Sequence, residues 1–176
     1  MDGLPMNTPT IDIVPFSPHH AEDVIPLILS IQQSELGIPI SLDAQSDLLD
    51  IPDVYQSGYG NFWVALAGQE VVGTVALLDI GDMQAALPKM FVRADHRGPA
   101  HGVATQLLEA LLAWGRKHRV RDTFLATHAG FLAANQLYEK NGFRPVARTQ
   151  LPSSFPIMEA NSTFYCRSLR LPVDCK

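Results

Sequence analysis

Cysteine is scarce in this chain. Only Cys166 and Cys175 occur in 176 residues, and neither their spacing nor their surroundings make a zinc set or a disulfide framework. No metal site is expected. Long apolar runs are missing too. Stretches such as FWVALA at Phe62–Ala67 are far too short to span a bilayer, and the opening MDGLPMNTPT lacks the basic-then-apolar order of a signal peptide. Positive charge is in short supply. Thirteen Lys and Arg against eighteen Asp and Glu leave a net charge of −5, which argues against nucleic acid, whose partners carry a basic face. The expectation is a soluble, cytoplasmic protein with neither a membrane nor a nucleic-acid partner.

What is present suits one packed unit. With 47 % hydrophobic and 18 % charged residues, the chain sits inside the globular range and far from disorder. Its length supports a sizeable core. A single domain over residues 1–176 is expected, with Met1–Pro9 as a loose leader and no repeat, low-complexity tract or linker.

Apolar periodicity orders the elements. Ile11, Ile13 and Phe16 alternate with polar positions as a short first strand. Ser17 and Pro18 read as the N-cap and first residue of a helix from about His19 to Glu35. Pro26 should kink it or divide it, and Gly37 and Pro39 end it. A second short helix over Leu42–Leu49 starts near Asp43 and is stopped by Pro52. After the turn Gly58-Tyr59-Gly60, the segments Asn61–Leu66, Val71–Asp79 and Gln84–Val92 read as strands joined by hairpin-length links. Ala104, Leu107, Leu108, Leu111 and Gly115 mark one face of a helix at Val103–His118. A strand at Asp122–Ala126, a helix near Phe131–Asn141 and a strand at Phe143–Ala147 follow. A loop at Leu151–Ser162 leads to a last strand, Thr163–Leu169. This order predicts an α+β fold with a central mixed, mostly antiparallel sheet of about seven strands flanked by helices.

The stretch from Lys89 to Trp114 carries the first chemical signal. A strand runs into a loop containing Gly98, Ala100, Gly102 and Ala104, and a helix follows. Small residues let backbone approach a ligand closely, and the unpaired N–H groups and dipole of the helix start favour an anion. A phosphate-bearing ligand is expected there. The pattern G-x-G-x-x-G is absent, as is Gly-Lys-Ser/Thr after the glycines, so neither a dinucleotide nor a triphosphate loop fits.

Element order and motifs together resemble the GNAT superfamily of acyl-CoA-dependent N-acyltransferases. The resemblance runs from Ile11 to Leu169 and rests on KMFVRADHRGPAHGVATQLL, on LAANQLYEKNGF at Leu132–Phe143, and on LPSSFP…FYCRSL near the end. The superfamily's loop reads Gln/Arg-x-x-Gly-x-Gly/Ala ahead of a Leu-Leu pair. Counting back from Leu107-Leu108 puts Gly102 and Ala104 on the small-residue positions and Pro99 on the Gln/Arg position. Arg97-Gly98 falls two residues early, so the loop is two residues longer than the common form.

The resemblance implies acetyl-CoA as co-substrate, with Arg97, Gly98, Ala100, Gly102, Val103 and Ala104 around the pyrophosphate. It implies that the backbone of Phe91 and Val92 pairs with pantetheine and polarises the thioester carbonyl, and that Asn135 bonds the cofactor. Tyr138 would protonate the departing thiolate; it lies three residues after Asn135, on the same helix face. The glutamate that many relatives carry on the fourth strand is here Ala86. Glu35, Asp79 and His128 stand as candidate bases, with Glu35 expected to face the acceptor cleft and relay a proton through water. Lys140 could reach phosphate. The acceptor lining is expected from the loops Leu36–Leu42 and Leu151–Ser162, with Tyr55, Phe62, Phe155, Met158 and Glu159.

The expected activity is therefore transfer of an acetyl group to the primary amine of a small acceptor, directly in a ternary complex. No Cys, Ser or Lys has an obvious activating base for a covalent intermediate. The alternative is a non-catalytic acyl-CoA-binding or sensing domain of the same fold, and a third is an interaction module that has lost the cofactor. Relatives are often dimers, and a homodimer through edge strands or the C-terminal segment is the expected assembly.

Overall fold

Alternation along the strands sets the layers. The computed structural model describes residues 10–157 and 162–170; the expected leader Met1–Pro9, the loop residues Met158 and Glu159, and Cys175 lie outside them. Eight strands form one sheet: β1 (Ile11–Pro15), β2 (Asn61–Ala67), β3 (Glu70–Asp79), β4 (Gln84–Ala86), β5 (Phe91–Val92), β6 (Asp122–Thr127), β7 (Arg144–Val146) and β8 (Thr163–Ser168). Their order is β1-β2-β3-β4-β6-β8-β7, with β5 paired to β3 off that path. β4 and β6 run parallel, and the other pairs are antiparallel. A mixed, mostly antiparallel sheet flanked by helices is what forms.

On β2, Trp63 and Ala65 face one layer while Phe62 and Val64 face the other, as a period of two requires. The first layer holds α3 (Val103–Lys117) and Tyr138 of α4 (Leu132–Lys140); the second holds α1 (Ala21–Ser30) and α2 (Ile51–Tyr55). Leu107, Leu108 and Leu111 of α3 are wholly buried, each contributing about 1.5–3 kcal/mol. Gly73 on β3 permits this close fit: a Cβ there would meet Val103 Cγ1 and Leu107 Cδ1 at 3.1 Å and the Phe91 carbonyl oxygen at 3.2 Å.

Three sequence expectations are corrected. The first helix is a 3-10 turn at Pro18–His20, then α1, then a π turn at Ile31–Glu35. α1 runs through Pro26 undivided, because both Pro26 and Glu22, whose carbonyl loses its partner, are exposed. Pro52 does not stop a helix. It occupies the first turn of α2, where no N–H is needed, and the preceding segment Asp43–Leu49 is 3-10, broken at Gln45. The strand expected over Gln84–Val92 is divided into β4 and β5, which raises the count from about seven to eight.

Candidate active site

The division of that strand opens the site. Between the pairs Leu78↔Ala86 and Thr74↔Phe91, the four residues 87–90 face the three residues 75–77 of β3, a one-residue bulge. Pro88 has no N–H for the ladder, and Lys89 takes the left-handed φ of +63°. β4 follows β6 through Gln84–Ala86, and Leu87 N–H still donates to the Phe124 carbonyl at 2.9 Å. Past the bulge, β5 pairs with β3 alone among the described residues. The other edge of Phe91 and Val92 is therefore unpaired, which leaves a wedge between β5 and β6 where the ladder stops.

The long loop follows β5 directly and returns to its end through Arg97. Gly98, at φ +102°, turns the chain so that its carbonyl accepts the N–H groups of His101 and Gly102 at 3.2 and 3.3 Å, with Ala100 exposed in the turn. Gly102 is the N-cap of α3 in left-handed geometry, without a side-chain cap, and its carbonyl takes the Gln106 N–H at 3.0 Å. The amides of Val103, Ala104 and Thr105 are then the unsatisfied donors of the first turn. They carry the positive end of a fifteen-residue helix.

Arg97 lies elsewhere. Its Nε donates to the Val92 carbonyl at 2.7 Å, and its Nη2 donates to Glu35 Oε2. The guanidinium thus crosses from the loop, over the end of β5, to the π turn. Two expected site residues are joined to one another: the arginine of the phosphate loop and the acid of the acceptor side.

α4 presents the remaining pair. Tyr138 is buried, edge-on to Phe143 with ring centroids 5.8 Å apart. Burial alone, with no charge or hydrogen bond contributing, pushes its phenol well above the usual tyrosine range, so the hydroxyl stays protonated. Asn135 donates its Nδ2 to the His128 carbonyl at 3.2 Å. Its Oδ1 is buried without a partner, alone in that respect among the described residues. A buried acceptor left unpaired costs about 1–3 kcal/mol, which suits a position where a ligand N–H completes the bond.

Other expected residues have structural duties. Asp79 accepts the N–H groups of Tyr59 (3.4 Å) and Gly81 (2.9 Å) and so shapes two turns. His128 Nδ1 accepts the Gly130 N–H at 3.0 Å. Tyr55 and Phe62 do not line a cleft; they pack against each other in the core at 5.5 Å, since aromatic area is worth most where water is excluded. Phe155 is likewise buried, against Ala86, Phe124 and Cys166, whose thiol burial pushes up to about 11. Lys140 is exposed at the end of α4. The segment around Gly37 forms an open groove of about 340 Å³, lined by Gln33, Gly37, Ile38, Pro39, Ile40 and Ser41. Among the described residues no three His, Cys, Asp or Glu gather as metal ligands would, and no helix is long and apolar enough to cross a membrane.

Sequence reasoning missed Lys89 and Asp47, which meet at 3.3 Å beside the bulge. The signal was present as a lysine after a proline inside an otherwise apolar strand.

This architecture has close counterparts. Residues 58–145 match the family described as Acetyltransferase (GNAT) domain. The crystal structure of an acetyltransferase of GNAT family from Staphylococcus aureus Mu50 superposes with a TM-score of 0.86 at 34 % identity, covering 92 % of this chain and 100 % of that one. PaiA N-acetyltransferase from Thermoplasma acidophilum, solved in complex with coenzyme A, shares the fold with a TM-score of 0.67 at 16 % identity, covering 90 % and 99 %. N-acetyltransferase family 8 member 2 from Rattus norvegicus is 36 % identical over 105 residues, 57 % of this chain and 46 % of the relative. The chain spans about half the length of the curated relatives it matches.

Proposed function

The chain belongs to the GNAT acetyltransferase family, and from that premise we propose that it is an N-acetyltransferase that moves an acetyl group from acetyl-CoA to the primary amine of a small acceptor. What supports this reading is the unpaired edge of β5 past the bulge, together with the buried, unpartnered Asn135 Oδ1 and the start of α3, which has no side-chain cap. An orphaned buried acceptor and a row of free amides fit a ligand that joins an amide-rich arm to a pyrophosphate.

Acetyl-CoA, when bound, supplies a thioester carbon open to attack by an amine. The amides of Val103, Ala104 and Thr105 would hold the pyrophosphate, with Gly98, Ala100 and Gly102 keeping the loop small. The backbone of Phe91 and Val92 would pair with the pantetheine amides and polarise the carbonyl, where aligned dipoles act strongly because water is excluded. Asn135 Oδ1 would accept an N–H from the same arm. As the C–N bond forms and the C–S bond breaks, Tyr138 donates its hydroxyl proton to the departing sulfur. Glu35 takes the amine proton through water; Arg97 engages Oε2 only, leaving Oε1 to do so. Transfer is direct, in a ternary complex. The acceptor enters over the groove of Gln33 and Ile38–Ser41, a lining with no lysine or arginine that suits an uncharged or cationic amine. The cytoplasmic setting and a homodimeric assembly belong to the same proposal.

Glu35 bound to Arg97 and the alanine at position 86 favour a second reading, an acyl-CoA-binding domain without turnover. Thiol release from acetyl-CoA across a panel of small amines decides between them. The enzyme reading requires amine-dependent release that Tyr138→Phe lowers by about 10²-fold, with the KM for acetyl-CoA within about twofold. Tight acetyl-CoA binding with no release on any amine establishes the second reading. No thermal shift with acetyl-CoA removes both, because a ligand that binds the native state must raise its stability.

A further inference from the structure

A part-buried charge stands at the bulge between β4 and β5 and takes no part in the proposed transfer. Lys89 occupies the bulge between β4 and β5 with φ +63°, a backbone that L side chains rarely adopt and that surrounding contacts must therefore hold. Its main chain is held from β3: wholly buried Thr74 donates Oγ1 to the Lys89 carbonyl at 2.7 Å, and Ala76 N–H donates to the Pro88 carbonyl at 2.9 Å. Its side chain, 14 % exposed, is held from the acceptor side. Nζ donates to Gln45 Oε1 at 2.8 Å and lies 3.3 Å from Asp47 Oδ2, which also accepts the Tyr55 hydroxyl at 2.5 Å. Gln45 and Gln32 exchange amide hydrogen bonds at 2.7 and 3.0 Å. One closed set of donors and acceptors thereby ties the bulge to the 3-10 segment, the π turn and α2. Burial pushes the Lys89 ammonium down from its usual range and Asp47 partly offsets this. A network with its donors and acceptors matched, anchored on buried Gln32, Gln45 and Tyr55, behaves as a brace.

We infer that Lys89 is a positioning residue for acyl transfer: its ammonium, held by Gln45 and Asp47, locks the bulge and so sets the backbone of Met90–Val92 against the acceptor-side segment Asp43–Leu49. This rests on the transferase reading above. Met90–Val92 follow Lys89 directly, and a displacement of about 1 Å at a reacting centre costs about 10²-fold in rate.

The test compares Lys89→Met, Lys89→Arg and the double variant Lys89→Met/Asp47→Asn with the parent protein. Readouts are kcat and KM for acetyl-CoA, thermal stability, and amide exchange at residues 90–92. The brace predicts that Lys89→Met lowers kcat tenfold or more with KM within threefold, that exchange at 90–92 quickens tenfold or more, and that Lys89→Arg recovers most of both. The double variant, which removes the stranded Asp47 charge, should regain stability and not kcat. Recovery of kcat in the double variant overturns the proposal, because Lys89 would then serve only as a counter-ion. Parent-like kcat or unchanged exchange in Lys89→Met overturns it as well. Where Lys89→Met does not fold, the folded double variant decides by its kcat alone. A parent that acetylates no amine defeats the transferase reading instead, and amide exchange still decides the brace.

Discussion

Arg97 and Glu35 are joined across 62 residues of chain, the guanidinium of one on the carboxylate of the other, while Arg97 Nε holds the Val92 carbonyl at 2.7 Å. The side chains are 45 % and 35 % exposed, so the pair is worth about 0–1 kcal/mol. Its interest is placement. A single arginine touches the loop, the end of β5 and the acid proposed as base.

Arg97→Ala should therefore change stability by less than about 1 kcal/mol in urea unfolding. CoA affinity by calorimetry should stay within threefold if the phosphates are held by the α3 amides, as proposed, with Arg97 kept on Val92 and Glu35. Weakening of tenfold or more would show that Arg97 swings onto phosphate when CoA binds.

Asn135→Leu should separate stability from binding. The variant removes a buried acceptor that has no partner, along with the 3.2 Å bond to the His128 carbonyl. Those effects oppose each other, so stability should change by no more than about 1 kcal/mol. CoA affinity should fall about tenfold, the loss of one ligand hydrogen bond. Unchanged affinity would take Asn135 out of the cofactor site.

Gly73→Ala should loosen the helix proposed to hold the pyrophosphate. The added Cβ meets Val103 and Leu107 side chains at 3.1 Å and the Phe91 carbonyl at 3.2 Å. Those neighbours must give by a few tenths of an ångström, at about 1 kcal/mol. Because Val103 begins α3 and Phe91 lies on β5, CoA affinity should drop with stability. A stability loss with parent-like affinity would uncouple Gly73 from the site.

His20 should make the 3-10 turn ahead of α1 pH-sensitive. Its Nδ1 accepts the Ser17 N–H at 3.0 Å, which only the neutral ring can do. Burial first, then the neighbouring His19, lowers its pKa from the usual value, with Asp23 opposing. The unfolded chain then binds more protons than the folded one below the ordinary histidine pKa of about 6.5. The contribution is thus complete above that pH and is lost as pH falls through the lower folded-state value. Melting temperature should decline from pH 7 to pH 5, and His20→Ala should flatten that slope. An identical slope in both proteins would acquit His20.

Local pattern was enough for the element order, for the buried stripe of α3 and for the shared face of Asn135 and Tyr138. Helix and strand periods are properties of neighbouring residues, and a leucine every third or fourth position has one good solution. The GNAT assignment was legible for the same reason, since its motifs are contiguous. What the pattern could not settle depends on residues far apart in the chain. Glu35 reads as a free acid until the fold brings Arg97 to it, and Tyr55 and Phe62 read as cleft aromatics until the second layer closes over them. In the sequence Gln84–Val92 reads as one strand, although Pro88 has no N–H for a ladder. Only pairing with β3 and β6 decided that the break is a one-residue bulge, and only Asp47 and Gln45, which is 44 residues away, supplied partners for the lysine within it. Burial and charge pairing are decided by what the whole chain excludes from water, and that is a property of the tertiary structure.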